Sequence, residues 1–162
     1  MDYVFTARNI SNGAFGSNPG ATKFLEVPAG AAVHTPDMAI NRTDWVRKVI
    51  DLAKTGVDHQ GRPLGDVLVY VHGFNTDQAL VLKRHHLIRK GLEALGYKGA
   101  VISFDWPCAD SALNYLDDRT DAKLTALRLV TDGITPFCRA QQPDCAISTH
   151  VLAHSKIGRA HV

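Results

Sequence analysis

The ten residues 66–75, Asp-Val-Leu-Val-Tyr-Val-His-Gly-Phe-Asn, restrict the folds open to this chain more than any other stretch. Residues 67–71 are apolar at successive rather than alternating positions and rich in β-branched side chains. Such a run suits a strand covered on both faces in a parallel sheet. His72-Gly73-Phe74-Asn75 ends the run, and Thr76-Asp77 can cap a following helix. Gly73 permits a sharp turn that leaves main-chain N–H groups uncovered at the carboxyl end of the strand. That end is where open α/β sheets bind their ligands. A strand, a His-Gly turn and a helix, in that order, present N–H donors to a developing oxyanion.

Further apolar runs place strands at residues 3–6, 23–27, 99–104 and 147–153. Helical spacing predicts three helices between them. Trp45, Val46, Val49, Ile50 and Ala53 share one stripe of a helix over 44–54, with Thr43 as N-cap. Leu80, Leu87, Ile88, Leu92 and Leu95 form the inner face of a second, stopped by Gly96, with Lys83, Arg84, Arg89 and Lys90 in water. A third runs from Ser111 to about Thr135, before Pro136, with Leu113, Leu116, Leu124, Leu127, Val130 and Ile134 inward. The turn-rich residues 9–20 fit neither G-x-G-x-x-G nor a P-loop and read as a surface hairpin or Ω-type loop. Residues 57–65 read as a polar loop. Adjacent helical residues diverge by about a hundred degrees, so His85-His86 reads as solvated surface and not as a chelate.

Strands alternating with helices imply a parallel sheet with right-handed crossovers. Two turns, His72-Gly73 and His154-Ser155, then fall at carboxyl ends of strands, and a serine at a strand-to-helix turn holds the position of a nucleophile elbow. With 162 residues, 45% of them hydrophobic, the chain can bury one core and shows no sign of two domains. A net charge of +2 gives no argument for nucleic acid or an anionic membrane. No apolar run reaches membrane-spanning length and no signal peptide opens the chain, so a cytoplasmic protein is expected. Three cysteines without Cys-x-x-Cys spacing indicate neither a zinc knuckle nor a disulfide framework. No cofactor or metal is expected, and a nucleotide-binding α/β protein is the weakest reading.

His72-Gly73-Phe74-Asn75, Phe104-Asp105-Trp106-Pro107, Tyr115 with Asp118-Arg119, and Leu152-Ala153-His154-Ser155 together resemble an uncharacterised family of bacterial α/β-hydrolase-fold proteins, over roughly residues 66–155. The resemblance implies the N-terminal part of an α/β-hydrolase fold, a mostly parallel sheet flanked by helices. It implies Ser155 as the nucleophile of acyl transfer, with Phe74 and Gly73 in the oxyanion hole and His72, Asn75, Asp105 and Trp106 shaping the pocket. The acid and the histidine follow the serine in this fold's chain order. Asp105 precedes it and is a poor substitute for the acid. His72 is expected to be structural, and His154 to point away from the serine. The implied partner is a small or lipid-like ester. A non-catalytic scaffold binding a partner or small molecule is the alternative.

In that family the serine motif continues as Ala-His-Ser-x-Gly, whereas Lys156-Ile157 follow Ser155 here. Residues 156–162, Lys-Ile-Gly-Arg-Ala-His-Val, read as a translated sequencing-library adapter. The expected division is therefore a partial hydrolase domain over 1–155 and a non-native tail over 156–162, and the chain as written is expected to be inactive.

Overall fold

The computed structural model describes residues 1–73, 76–108, 123–140 and 146–154. The chain opens with an antiparallel hairpin of β1 (Asp2–Ser11) and β2 (Ala14–Val27). Asn12 and Gly13 turn it with φ of 51° and 76°, the left-handed values a two-residue hairpin turn requires. Residues 9–20 are thus a hairpin tip, and both strands outrun their apolar cores because pairing sustains the polar positions.

After β3 (Ala39–Ile40), which pairs with β2, comes α1 (Arg42–Ala53). Its N-cap is Asn41, whose side chain accepts the Asp44 N–H at 2.9 Å, so the expected cap Thr43 lies inside the helix. The expected polar loop at 57–65 is largely a second hairpin, of β4 (Lys54–Val57) and the start of β5 (Pro63–Val71). Next come α2 (Gln78–Ala94) and β6 (Ala100–Asp105). Residues 123–128 are helical, and a π-helical turn, Leu129–Ile134, joins them to α3 (Thr135–Ala140) before β7 (Ala146–Ala153).

The strands form one sheet in the order β3-β2-β1-β6-β5-β4, with β7 also paired to β5. As its apolar run suggests, β5 lies between β6 and β7 and is parallel to both, with Val71 opposite Phe104 and Ala153. The path from β5 through α2 to β6 moves one way across the sheet, and the path from β6 to β7 moves back. Right-handed crossovers then put α2 and α3 on opposite faces. The cores agree. Tyr3, Phe5, Phe24, Phe104 and Ile147 pack with Trp45 of α1 and Phe137 of α3, while Val4, Leu25 and Val27 pack with Leu82 of α2.

Two helices sit on faces other than the expected ones. In α2 the buried residues are Val81, Leu82 and His85, whereas Leu87 and Leu95 are exposed. The sheet beneath α2 offers polar partners: His85 Nδ1 lies 2.8 Å from Ser103 Oγ, and His86 Nε2 lies 2.7 Å from Asp2 Oδ2. Arg89 also pairs with Asp2, and Arg84 is half-buried. His85-His86 is therefore not a solvated pair: it seats the helix on buried acceptors. Farther on, Leu124, Leu127 and Val130 are exposed while Thr125, Gly133 and Phe137 are buried. The π-helical turn adds residues per turn and rotates the face. It also carries the helix past Pro136, which falls in the first turn of α3, where a missing N–H costs least. Leu113 and Leu116 lie outside the described residues.

Candidate active site

The carboxyl ends of β1, β5, β6 and β7 converge on one rim of the sheet. In β6, Ser103 and Asp105 alternate with Ile102 and Phe104, so Asp105 faces the α2 side. There it is fully buried and becomes a polar hub. Arg8 donates Nε–H to both carboxylate oxygens, at 2.9 and 2.8 Å. His34 Nε2–H donates to Oδ2 at 2.9 Å, and the Thr6 hydroxyl donates to the same oxygen at 3.1 Å. Parallel pairing of β1 with β6 sets Thr6 opposite Asp105, and Arg8 follows two residues along the strand.

His72 comes to this hub from the end of β5. Its Nδ1 must carry a hydrogen, since it lies 2.8 Å from the Gly73 carbonyl, which can only accept. Its Nε2 meets the Trp106 N–H at 3.1 Å and Asp105 Oδ1 at 3.2 Å. The first contact uses a lone pair and the second a proton: the neutral ring serves Trp106, and the cation would serve Asp105. The Trp106 indole stacks on the His72 ring, 5.4 Å between centroids, and donates its N–H to the His72 carbonyl at 2.8 Å. Burial alone would push the Asp105 carboxyl up. The hydrogen bond from His34, the close His72 ring and the charge of Arg8 outweigh it and hold the group well below the usual carboxylate range.

The turn itself is held from below. The Thr76 hydroxyl donates to the Gly73 carbonyl at 2.8 Å, so that oxygen accepts from both Thr76 and His72. Cys108, buried after β6, receives the Thr76 N–H on its sulfur at 3.4 Å. Across from this turn, the His154 N–H donates to the Val71 carbonyl at 3.0 Å, extending the β5–β7 ladder by one residue. A Cβ on Gly73 would stand 2.5 Å from the His154 carbonyl oxygen and 2.9 Å from His154 Nδ1. Only glycine lets the end of β5 come this close to His154.

The structure thus brings together His72, Gly73, Asp105 and Trp106, and sets His154 against Gly73. Phe74, Asn75 and Ser155 lie outside the described residues. Sequence reasoning missed Thr6, Arg8, His34 and Thr76. A threonine and an arginine two apart at the end of an apolar strand were a legible hint of a buried polar partner, while His34, in an irregular loop, carried no signal. Among the described residues no group of three or more His, Cys, Asp or Glu side chains could hold a metal ion, and no helix is long and apolar enough to cross a membrane.

A mostly parallel sheet with helices on both faces, and with strand ends gathered where the crossover direction reverses, is a doubly wound α/β scaffold of the kind that binds its ligands at that rim. More narrowly, the chain belongs to a family described as alpha/beta hydrolases of unknown function (DUF900), whose family model matches residues 51–160. No curated protein and no solved structure matches it.

Proposed function

We propose that this scaffold serves a serine hydrolase of small or lipid-like esters, with Ser155 as the nucleophile. The observation that carries the reading is the approach of Gly73 to His154, the residue before Ser155, on the carboxyl rim of β5 and β7. In the reaction, Ser155 Oγ would bond to the ester carbonyl carbon while a histidine takes its proton. The C–O bond to the alcohol then breaks as the alcohol leaves with that proton, and water repeats the sequence to release the acid. The N–H groups of Phe74 and of the residue after Ser155 would stabilise the oxyanion. His72 and Asp105 act as supports of the turn: both are buried, and Asp105 is committed to Arg8 and His34. The fold's chain order puts the acid and the catalytic histidine after the serine.

The test is hydrolysis of p-nitrophenyl butyrate by the 162-residue chain and by a version extended beyond Ser155 with a family member's downstream sequence. Each is assayed beside Ser155→Ala. The chain alone is expected to be inactive and the extended protein active, with Ser155→Ala losing on the order of a millionfold. An extended, folded protein without Ser155-dependent turnover would leave the non-catalytic binding scaffold in its place.

A further inference from the structure

Thr76 stands beside the start of a helix that does not use its hydroxyl. Asp77 is the N-cap of α2, its side chain accepting the Leu80 N–H at 2.6 Å. The buried Thr76 hydroxyl turns back toward the end of β5 instead. Its proton has one place to go. Arg84 Nη1–H, which can only donate, fills a lone pair of Oγ1 at 3.2 Å, and the Gly73 carbonyl, which can only accept, lies 2.8 Å away. The same carbonyl oxygen receives His72 Nδ1–H at 2.8 Å, while His72 Nε2 takes the Trp106 N–H at 3.1 Å. Two buried side chains thus fill both lone pairs of the Gly73 carbonyl. One is braced by α2 and the other by the residue that follows β6. The Gly73 oxygen therefore points into the protein, and in a planar trans peptide the N–H points opposite to the C=O.

We propose that Thr76 and His72 are positioning residues: by drawing the Gly73 carbonyl inward they aim the N–H of the same peptide, which belongs to Phe74, outward as a free donor for the substrate's carbonyl oxygen. The identity of that ligand rests on the esterase reading above. What the two side chains add is direction. Glycine alone would leave this peptide free to flip, and two filled lone pairs on its carbonyl resist the flip. Neither donor has another orientation open to it, since Arg84 fixes the hydroxyl of one and Trp106 the ring tautomer of the other. The peptide dipole is then set before substrate arrives, the condition under which such a donor lowers the barrier most.

One arm of the experiment needs no turnover. In the 162-residue chain, amide-resolved hydrogen exchange by NMR is expected to find the Phe74 N–H within about tenfold of the unprotected rate. Thr76→Val, which keeps the shape and removes the hydroxyl, is expected to shift the carbon-13 signal of the Gly73 carbonyl, and Thr76→Ser to bring it back. The other arm uses the extended protein. There Thr76→Val is expected to lower kcat about 10- to 100-fold with KM nearly unchanged, and Thr76→Ser to keep most of the rate. A hydroxyl that served stability alone would move the urea midpoint and leave kcat per folded molecule as it was. A Phe74 amide protected about a hundredfold or more, or a Gly73 signal indifferent to Thr76→Val, overturns the proposal whatever the turnover. So does Ser155-dependent turnover whose kcat survives Thr76→Val, which would keep the esterase and discard the aiming. An unprotected Phe74 amide and a Gly73 signal that follows the hydroxyl, without Ser155-dependent turnover, would keep the aimed donor and remove the esterase.

Discussion

The two faces of the sheet are built on different principles. On the face toward α1 and α3, Phe5 stacks on Phe104 at 4.7 Å between centroids and meets Trp45 edge-on at 5.7 Å. That cluster also holds Phe24 and Phe137, and its cohesion comes from apolar area and close packing. On the face toward α2, the same strands bury Asp2, Thr6, Arg8, His72, Ser103 and Asp105 beside a smaller apolar cluster. Its cohesion is directional: every polar group needs its partner in place. The aromatic face can tolerate a change of shape at modest cost. The polar face fixes where the strand ends sit, and those ends carry the candidate site.

The largest effect should come from the hub. Asp105→Asn leaves Arg8 buried without its carboxylate, and breaking a buried pair in this way costs about 3–5 kcal/mol. Urea unfolding would show it, together with loss of the fixed His72–Trp106 stack in near-ultraviolet circular dichroism. A loss as small as that of Phe5→Leu would erase the contrast between the faces. A smaller effect tests the aromatic side. A Cβ on Gly133 would stand 2.3 Å from Phe5 Cζ, and the Phe5 ring is trapped between Phe104 and Trp45. Gly133→Ala should therefore cost about 1–3 kcal/mol through overpacking, with the polar hub unaffected. If Phe5→Leu restores the lost stability in the double variant, the clash is the cause.

The smallest effect is a slope. The Asp2 carboxyl is held below the usual carboxylate range: burial would raise it, but the neighbouring His85, the hydrogen bond from His86 and the charge of Arg89 outweigh that. Asp105 is lowered in the same sense. Groups with depressed folded values stabilise the fold above the unfolded value. In the window below it the unfolded chain binds more protons, so stability rises with pH and is lost on acidification. The urea midpoint should fall as pH drops from about 5 toward 3, and less steeply in Asp2→Asn. Equal slopes would mean that Asp2 is not ionised in the fold.

Much of this architecture was legible because its signals are local. The apolar runs of β5, β6 and β7 announce buried parallel strands, and His72-Gly73 and His154 at their ends announce a rim. The helix faces were not legible from leucine spacing. In α2 the inward side is claimed by His85, whose partner Ser103 is eighteen residues away in sequence. Near α3 a π-helical turn breaks the 3.6-residue period that the spacing of Leu124, Leu127 and Val130 assumes. His72 and Asp105 were legible as pocket residues, but their pairing was not, for the same reason carried further: nothing near Arg8 or His34 says that its carboxylate is Asp105.

That separation also sets an order of events. Arg8 meets Asp105 across 97 residues, His34 across 71 and His72 across 33. During synthesis at about 5–20 residues per second, Arg8 is therefore out of the ribosome for some seconds before its acid exists. The hairpin of β1 and β2 can form at once, but β1 cannot be buried as the middle of a sheet until β6 arrives, and β5 has no second parallel neighbour until β7 does. Loop-closure entropy makes such distant pairings late and slow. The growing chain thus keeps its charged strand wet, and the turns of the candidate site are drawn together only when nearly all the residues that hold them have been made.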